Sequence, residues 1–493
     1  MAHARELAGF GAILAGVTAV VAWEGTRVFD FFDMSVLMDA GWRVACGQQI
    51  YRDFYFNAGP VHPYLHALFF RLFGFGTAAL LAHVAVLNAA VMAATWVAVR
   101  RELPAGTTAL CTLAAGLCFY GIIAHPWYNQ SACFFVVLAA LCVMRLQPLD
   151  GARRAALAGF AAGVGCGLAV LTRVDFGTGA SATFAIALAS AGPRRGAALG
   201  GLAAGLAVGI GAVFATLPVG EFLFQMSEYV PRSRLVFWPR LVEVAGRTPS
   251  LALLAAALVA RRRCGPRNDP VRTQRFWLLA GLLGTSFLTG YTSYMRLSSN
   301  CPLLATELLL LALLAGERGR RLVNVLLVGA VAAAVYLMHT HDVWAWRRSN
   351  LGADYPLKSA PMAGWLCERR MGEAVDAAVA AIATRVPRGD SLFVFPDTTV
   401  IYALAGRESW RGAPAIFLLG ARESSPPPGA LTERFRTQFL NQPPRWIVLH
   451  HERESPITDT ARFLERLALD KFLHDRYRRV AVWNDIELLR LEP

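Results

Sequence analysis

Eleven apolar runs alternate with polar, arginine-bearing segments along roughly the first two thirds of the chain. They are Leu7–Trp23, Thr77–Val99, Thr107–Ala124, Ser131–Met144, Ala155–Leu171, Thr178–Ser190, Ala197–Leu217, Ser250–Ala260, Phe276–Tyr291, Cys301–Ala315 and Leu322–Met338. An apolar helix crosses a hydrocarbon core of about 30 Å with about 20 residues, so this rhythm predicts about eleven transmembrane helices. Runs shorter than about 17 residues cross by borrowing flanking residues, by tilting, or behind neighbouring helices. The first run follows Arg5 and has no small-residue cleavage site before Glu24, the pattern of an uncleaved signal anchor.

From His339 onward the pattern changes. A helical period over Met371–Val386 leads through Arg388, Gly389 and Asp390 into a β run, Ser391–Phe395. A second helical period, Leu431–Leu440, is broken by Pro443 and Pro444 before a second strand, Trp446–His450. Ala461–Leu473 reads as helix, and Arg479–Trp483 with Ile486–Leu491 as a hairpin across Asn484 and Asp485. The expected fold class is therefore a polytopic α-helical membrane protein with a C-terminal α/β domain of two or three layers. Its membrane domain spans residues 1–338, including a long first loop at 24–76, and its α/β domain spans 339–493. The first strand of that domain turns at Pro396-Asp397-Thr398, without a GxGxxG or P-loop pattern, so nucleotide binding is unsupported.

Charge adds orientation. Only 17% of residues are charged, against about 25% in soluble chains. The basic excess of +14 comes almost wholly from arginine, the lysines being Lys358 and Lys471. The arginines cluster at Arg100–Arg101, Arg145–Arg154, Arg194–Arg195, Arg261–Arg275 and Arg318–Arg321, in every second loop. Such clusters stay on the cytoplasmic side, which predicts an internal N-terminus and an extracytoplasmic α/β domain in a bacterial-type inner (plasma) membrane. Clusters between apolar runs are topology signals and not a nucleic-acid-binding face. The nine cysteines show no CxxC spacing and no disulfide framework.

Chemistry-bearing residues then concentrate in the outer loops. The first contains Phe29-Asp30-Phe31-Phe32-Asp33-Met34, then Asp39, then Gly47-Gln48-Gln49-Ile50-Tyr51-Arg52-Asp53-Phe54, an Asn57-Ala58-Gly59-Pro60 turn, and an amphipathic stretch Pro63–Phe73 expected to lie along the interface with its aromatics in lipid. Carboxylates just beyond a membrane helix suit a general base facing both water and lipid; they equally suit a solvated loop. His125-Pro126-Trp127-Tyr128 is a compact outer turn whose aromatics fit either sugar stacking or the interfacial belt. Glu307 lies inside an apolar run, where an ionisable group is functional or paired, for instance with Arg296. His339, His341 and Asp342 have metal-ligand types, but they sit at a span-to-domain junction and no metal site is assigned.

The succession of Asp33, a small-residue helix, the G-x-x-I-Y-R-D-F motif, the Asn-x-Gly-Pro turn and an aromatic helix closing on Leu72-Phe73-Gly74 resembles the lipid-dependent glycosyltransferases of the GT-C superfamily. The branch it resembles is family-39-like, the dolichyl-phosphate-mannose-protein-mannosyltransferase type. The resemblance implies transfer of a hexosyl or pentosyl group from a polyprenyl-phosphate donor to an extracytoplasmic glycan, lipid or protein acceptor, by an inverting single displacement. It implies Asp33 as the general base, with Asp30 the runner-up, and no certain cofactor, a divalent metal being left open. The residue after Asp33 is Met34, where the superfamily has glutamate. A phosphate leaving group needs cations nearby; Arg173 and Arg296 at outer span ends, with Arg232 and Arg234, are the candidates, because guanidinium binds phosphate oxygens in a bidentate manner. Arg52, Asp53, Asn57, Trp127 and Tyr128 are candidates for binding the acceptor or orienting the loop. Two rival readings are a membrane transporter, which internal repeats would favour and this chain lacks, and an inactive sugar-binding scaffold.

Overall fold

The computed structural model describes residues 2–27, 29, 31, 33–56, 58–121, 124–149, 151–190, 192–229, 250–263, 269–292, 301–340, 353–396, 398–412, 429–451 and 460–493. They form two compact units. One gathers Met1–Gly25, Leu81–Ala215 and Leu235–Leu351; the other gathers Thr26–Leu80, Thr216–Arg234 and Gly352–Pro493. The first loop thus packs in the same unit as the C-terminal α/β segment, although more than 250 residues of apolar helices separate them in sequence.

The first unit is helical. Each of the eleven apolar runs coincides with a helix over most of its length, from Ala2–Gly25 to Cys301–Thr340. The last two runs share the helix Cys301–Thr340, which breaks at Gly316 where φ reaches 59°, a left-handed value glycine adopts without penalty. Among the described residues, five helices are long and apolar enough to cross a membrane: Ala4–Gly25, Thr77–Val99, Tyr128–Leu146, Gly192–Phe214 and Gly319–Met338. Lipid offers helices no hydrophobic reason to associate, so close backbone packing must supply the attraction. The helices Ala152–Val170 and Arg195–Phe214 show this directly. Gly159, Gly163 and Gly167 on one, and Gly201, Gly205 and Gly209 on the other, recur every four residues and form facing stripes. A Cβ at Gly163 would collide with the Leu202 carbonyl oxygen, and one at Gly205 with that of Phe160. Elsewhere Thr183 and Thr285 share a hydrogen bond of 3.1 Å between helices Val174–Ala189 and Pro270–Thr292.

In the second unit the C-terminal segment forms three layers. Its sheet runs in the order β3 (Leu392–Phe395), β4 (Trp446–His450), β6 (Ile486–Leu491), β5 (Tyr477–Trp483), after a two-residue pair, β1 (Tyr355–Pro356) and β2 (Leu366–Cys367). Strands β3 and β4 are parallel, which requires a crossover; helix Ala430–Asn441 lies in that connection. Its Phe435 and Phe439 enter one face of the sheet with Phe393, Phe395, Ile447 and Leu449. Helix Arg369–Arg385 covers the other face through Val375, Ala378 and Ile382, all buried, and is capped by Glu368, which accepts from the Arg370 and Met371 amides. The expected helix Ala461–Leu473 is two, Thr460–Arg466 and Asp470–Arg476, because Ala468 turns left-handed at φ 50°.

Candidate functional site

The helix Asp33–Ala45 carries the candidate base at its first residue. The Asp33 side chain lies outside the described residues, as do Asp30 and Asn57. The rest of the helix is almost wholly buried. Its Gly41 meets the Val61–Phe73 helix so closely that a side chain there would run into His66. His66 in turn donates from Nδ1 to the Leu37 carbonyl, 3.2 Å away. The Val61–Phe73 helix is amphipathic as expected, but Phe69 and Phe70 point inward, and the residues it leaves exposed are Leu68, Arg71, Leu72 and Phe73. Phe70 stands one helical turn from His66 and so shares its buried stripe.

Between these helices the Gly47–Phe56 loop makes a tight, fully specified turn. Tyr51 sits at φ 70°, strained for a residue with a Cβ, and three contacts hold it there. Its amide donates to the Phe54 carbonyl at 3.0 Å, its hydroxyl donates to the Ala58 carbonyl at 2.5 Å, and its ring packs edge-on to Phe222. Gln225, buried on helix Val219–Tyr229, clamps the loop from both sides: its Nε2 donates to the Tyr51 carbonyl at 2.7 Å and its Oε1 accepts from the Phe56 amide at 3.1 Å. Arg52 folds back on Asp53, Nε and Nη2 donating to the two carboxylate oxygens at 3.1 and 3.0 Å. Burial pushes the Asp53 carboxyl up, but Arg52 and the Gln49 amide outweigh it and hold it below the usual range. Arg52 remains 59% exposed, so of this pair the guanidinium is the group presented to a solute. The Asp53 carbonyl accepts from the Gly412 amide at 2.8 Å, and Tyr55 enters the core of the α/β segment.

Among the groups of this unit that titrate at acid pH, three depart far from their ordinary values. Burial holds the His66 imidazole down at about 3 and His450 at about 4, and it pushes the Asp39 carboxyl up to about 6 against the pull of Arg43. Unfolded histidines titrate near 6.5, so below that pH the unfolded chain binds protons the folded one refuses, and stability falls as pH drops toward 4. Asp39 acts in the opposite sense between about pH 6 and 4 and cancels roughly one histidine. For these three groups together we expect a net loss of stability as pH falls through that window, on the order of 1 kcal/mol per pH unit. Thermal unfolding of the detergent-purified protein at pH 7 and pH 4.5 measures it; a midpoint that holds or rises on acidification contradicts this reading.

In the other unit, Arg173 closes the turn between helices Ala152–Val170 and Val174–Ala189. Its Nε and Nη2 donate to the two Asp175 oxygens at 2.8 Å each, its Nη1 donates to Asn129 Oδ1, and its guanidinium lies 5.9 Å from the Tyr128 ring centroid. Three of its N–H groups are thereby used, which among the described residues leaves one on each terminal nitrogen. Trp127 stacks on Tyr128 with centroids 5.6 Å apart and is 1% exposed, too buried to face lipid or a sugar; it holds the turn that presents Tyr128 and Asn129. Glu307 is buried and accepts from Ser286 Oγ at 2.6 Å. Arg232, Arg234, Arg296, His341 and Asp342 lie outside the described residues. Among the described residues no three His, Cys, Asp or Glu side chains converge as a metal site would require.

Of the residues the sequence nominates, Arg173, Tyr128, Arg52 and Asp53 have defined partners in the structure. The sequence does not single out Asn129 and Asp175 as partners of Arg173, nor Gln225 as the clamp on Tyr51 and Phe56; Asp175 carries a signal, an acid two residues from an arginine at a span end, whereas Gln225 carries none.

No family model and no curated protein matches the sequence. Among solved structures, the chain is similar over its whole length to ArnT from Cupriavidus metallidurans in the apo state, at 14% identity, covering 99% of this chain and 98% of that one with a TM-score of 0.59. The structure of ArnT bound to undecaprenyl phosphate is similar at 14% identity, 97% coverage of each chain and a TM-score of 0.57. Archaeal oligosaccharyltransferase AglB from Archaeoglobus fulgidus, in complex with an inhibitory peptide and a dolichol-phosphate, is similar at 12% identity, covering 97% of this chain and 74% of that one, with a TM-score of 0.50. The chain shares the fold of these solved structures, a polytopic array of apolar helices with a C-terminal α/β domain.

Proposed function

We propose that this protein is an integral-membrane glycosyltransferase that moves a sugar from a polyprenyl-phosphate donor to an extracytoplasmic acceptor. The observation that carries this reading is the end-to-end similarity to a structure bound to undecaprenyl phosphate. A likeness confined to the apolar helices would suit many membrane proteins, a transporter included; one that extends through the first loop and the α/β segment favours transferase chemistry. In this reading Asp33 is the base, with Asp30 the runner-up for that role, and Arg52 presents a cation to the acceptor. Arg173 offers its two remaining N–H groups to the donor phosphate, assisted by Arg296, Arg232 and Arg234. The chemistry needs no more than this: the phosphate is already a good leaving group, so one base at the attacking hydroxyl and fixed cations at the departing oxygens lower the barrier. Single displacement inverts the anomeric centre. The sugar is a hexose or pentose, and the acceptor is a glycan, lipid or protein.

Saturable binding of undecaprenyl phosphate to the purified protein, read by native mass spectrometry, tests the donor half of the proposal. Retention of that lipid over phosphatidylglycerol at equal concentration supports it, and equal retention of both sinks it. The proposed orientation places eleven spans with the α/β domain outside. Alkaline phosphatase fused after Met338 should then be active and fused after Arg195 inactive, and the reverse pattern would refute the topology.

A further inference from the structure

The helix that begins with Asp33 carries a buried polar stripe on a surface where apolar residues would be cheaper. Ser35, Asp39 and Arg43 follow one another at four-residue spacing and so lie along one face. All three are at most 1% exposed. They meet a single segment of the α/β region, the stretch that follows β3. Ser35 Oγ accepts from the Val400 amide at 2.8 Å. Asp39 lies beside Thr399 and is paired with Arg43, whose Nε donates to Oδ1 at 3.0 Å and whose Nη2 stands 2.6 Å from Oδ2. The Arg43 guanidinium sits between two rings, 4.9 Å from the centroid of Tyr402 and 5.2 Å from that of Phe54. Tyr402 is itself fixed to the sheet, because the Val394 amide of β3 donates to its hydroxyl at 2.6 Å. A chain of directional contacts therefore runs from the sheet through Tyr402 and Arg43 to Asp39, and Ser35, two residues from Asp33, makes a separate contact to the same segment at Val400.

A buried ion pair is a poor source of stability. Taking both charges out of water costs about what their attraction returns, and hydrophobic replacement of such pairs is often neutral or stabilising. What the pair does supply is a fixed distance and direction, which apolar packing enforces less strictly. We infer that Asp39 and Arg43 are positioning residues that lock the Asp33–Ala45 helix to the segment after β3, so that the α/β region sets the placement of the catalytic carboxylate. This rests on the reading of Asp33 as the base. It gives the α/β segment a role in turnover that a separate sugar-binding module would not have. Arg43 also joins the second half of the first loop to the same lock, because Phe54 belongs to the Tyr-Arg-Asp-Phe motif that presents Arg52.

The test compares Asp39→Leu/Arg43→Met with the wild-type full-length protein. Removing one charge alone would strand the other and unfold the unit, whereas removing both keeps the volume apolar and the fold intact. We expect a thermal midpoint at or above that of the wild type, a kcat lower by about 10- to 100-fold, as small misplacements of reacting groups produce, and a donor KM within about twofold. Amide hydrogen exchange over residues 33–45 should accelerate about tenfold or more, a readout independent of the reaction. A double variant with wild-type kcat and unchanged exchange overturns the inference. If exchange accelerates as expected but Asp33→Asn retains wild-type turnover, the lock stands and the assignment of the base fails.

Discussion

Asp33→Asn is expected to lower sugar transfer by about 10²- to 10⁴-fold, the usual contribution of a general base, while the protein still inserts, folds and binds donor. The substitution keeps size and removes only basicity. Asp33 opens the first helix after the first apolar run, about ten residues past Trp23, on a helix whose remaining length is buried and locked. A helix so held cannot lend the role to a neighbouring acid by rotating. Asp39, the next carboxylate along it, is enclosed with Arg43 and reaches no substrate. Asp30→Asn should be the milder change. Transfer at the wild-type rate in Asp33→Asn, with Asp30→Asn or Asp53→Asn inactive, would move the base to that residue.

The second large effect concerns donor affinity. Each charge-assisted hydrogen bond from guanidinium to phosphate is worth about 1.5–3 kcal/mol, so Arg173→Gln should weaken donor binding by about tenfold to a hundredfold. Because Arg173 also pairs with Asp175, loss of the arginine disturbs the turn itself. Arg173→Lys separates the two contributions: it retains the charge beside Asp175 but loses the planar fork. Donor affinity should then fall between that of Arg173→Gln and that of the wild type, with an unchanged thermal midpoint. Unchanged donor affinity in both Arg173→Gln and Arg296→Gln would leave the phosphate without its proposed partners.

Much of this molecule was legible from periodicity, and the limits of that legibility are physical. Apolar runs and arginine clusters are local signals, so the helices and the order of strands and helices after residue 353 could be read directly; Trp446–His450 falls where alternation and the Pro443-Pro444 break placed it. The closeness of the helices Ala152–Val170 and Arg195–Phe214 was written in glycines four residues apart, but such a stripe shows its meaning only once the partner stripe is found. The site was less legible. Asp39 is one acid among several in the first loop and Arg43 has no local mark at all, since nothing local reveals that Tyr402, more than 350 residues away, comes to lie over the guanidinium. Gln225 looked like any polar residue of a long loop. Trp127 fits sugar stacking or an interfacial belt by composition, and the structure buries it. In each case the deciding partner is distant in sequence, and periodicity carries no information about distant partners.

The central claim is transfer of a lipid-linked sugar, and the most direct measurement follows a radiolabelled sugar on polyprenyl phosphate after incubation with the purified full-length protein and a cell-envelope acceptor fraction. The expected result is movement of label from the lipid to the acceptor with inversion at the anomeric carbon, release of unlabelled polyprenyl phosphate, and loss of both in Asp33→Asn. Label that stays on the lipid across a panel of hexosyl and pentosyl donors, in a protein that is folded and binds the lipid, would contradict the account and leave a lipid-binding scaffold in its place.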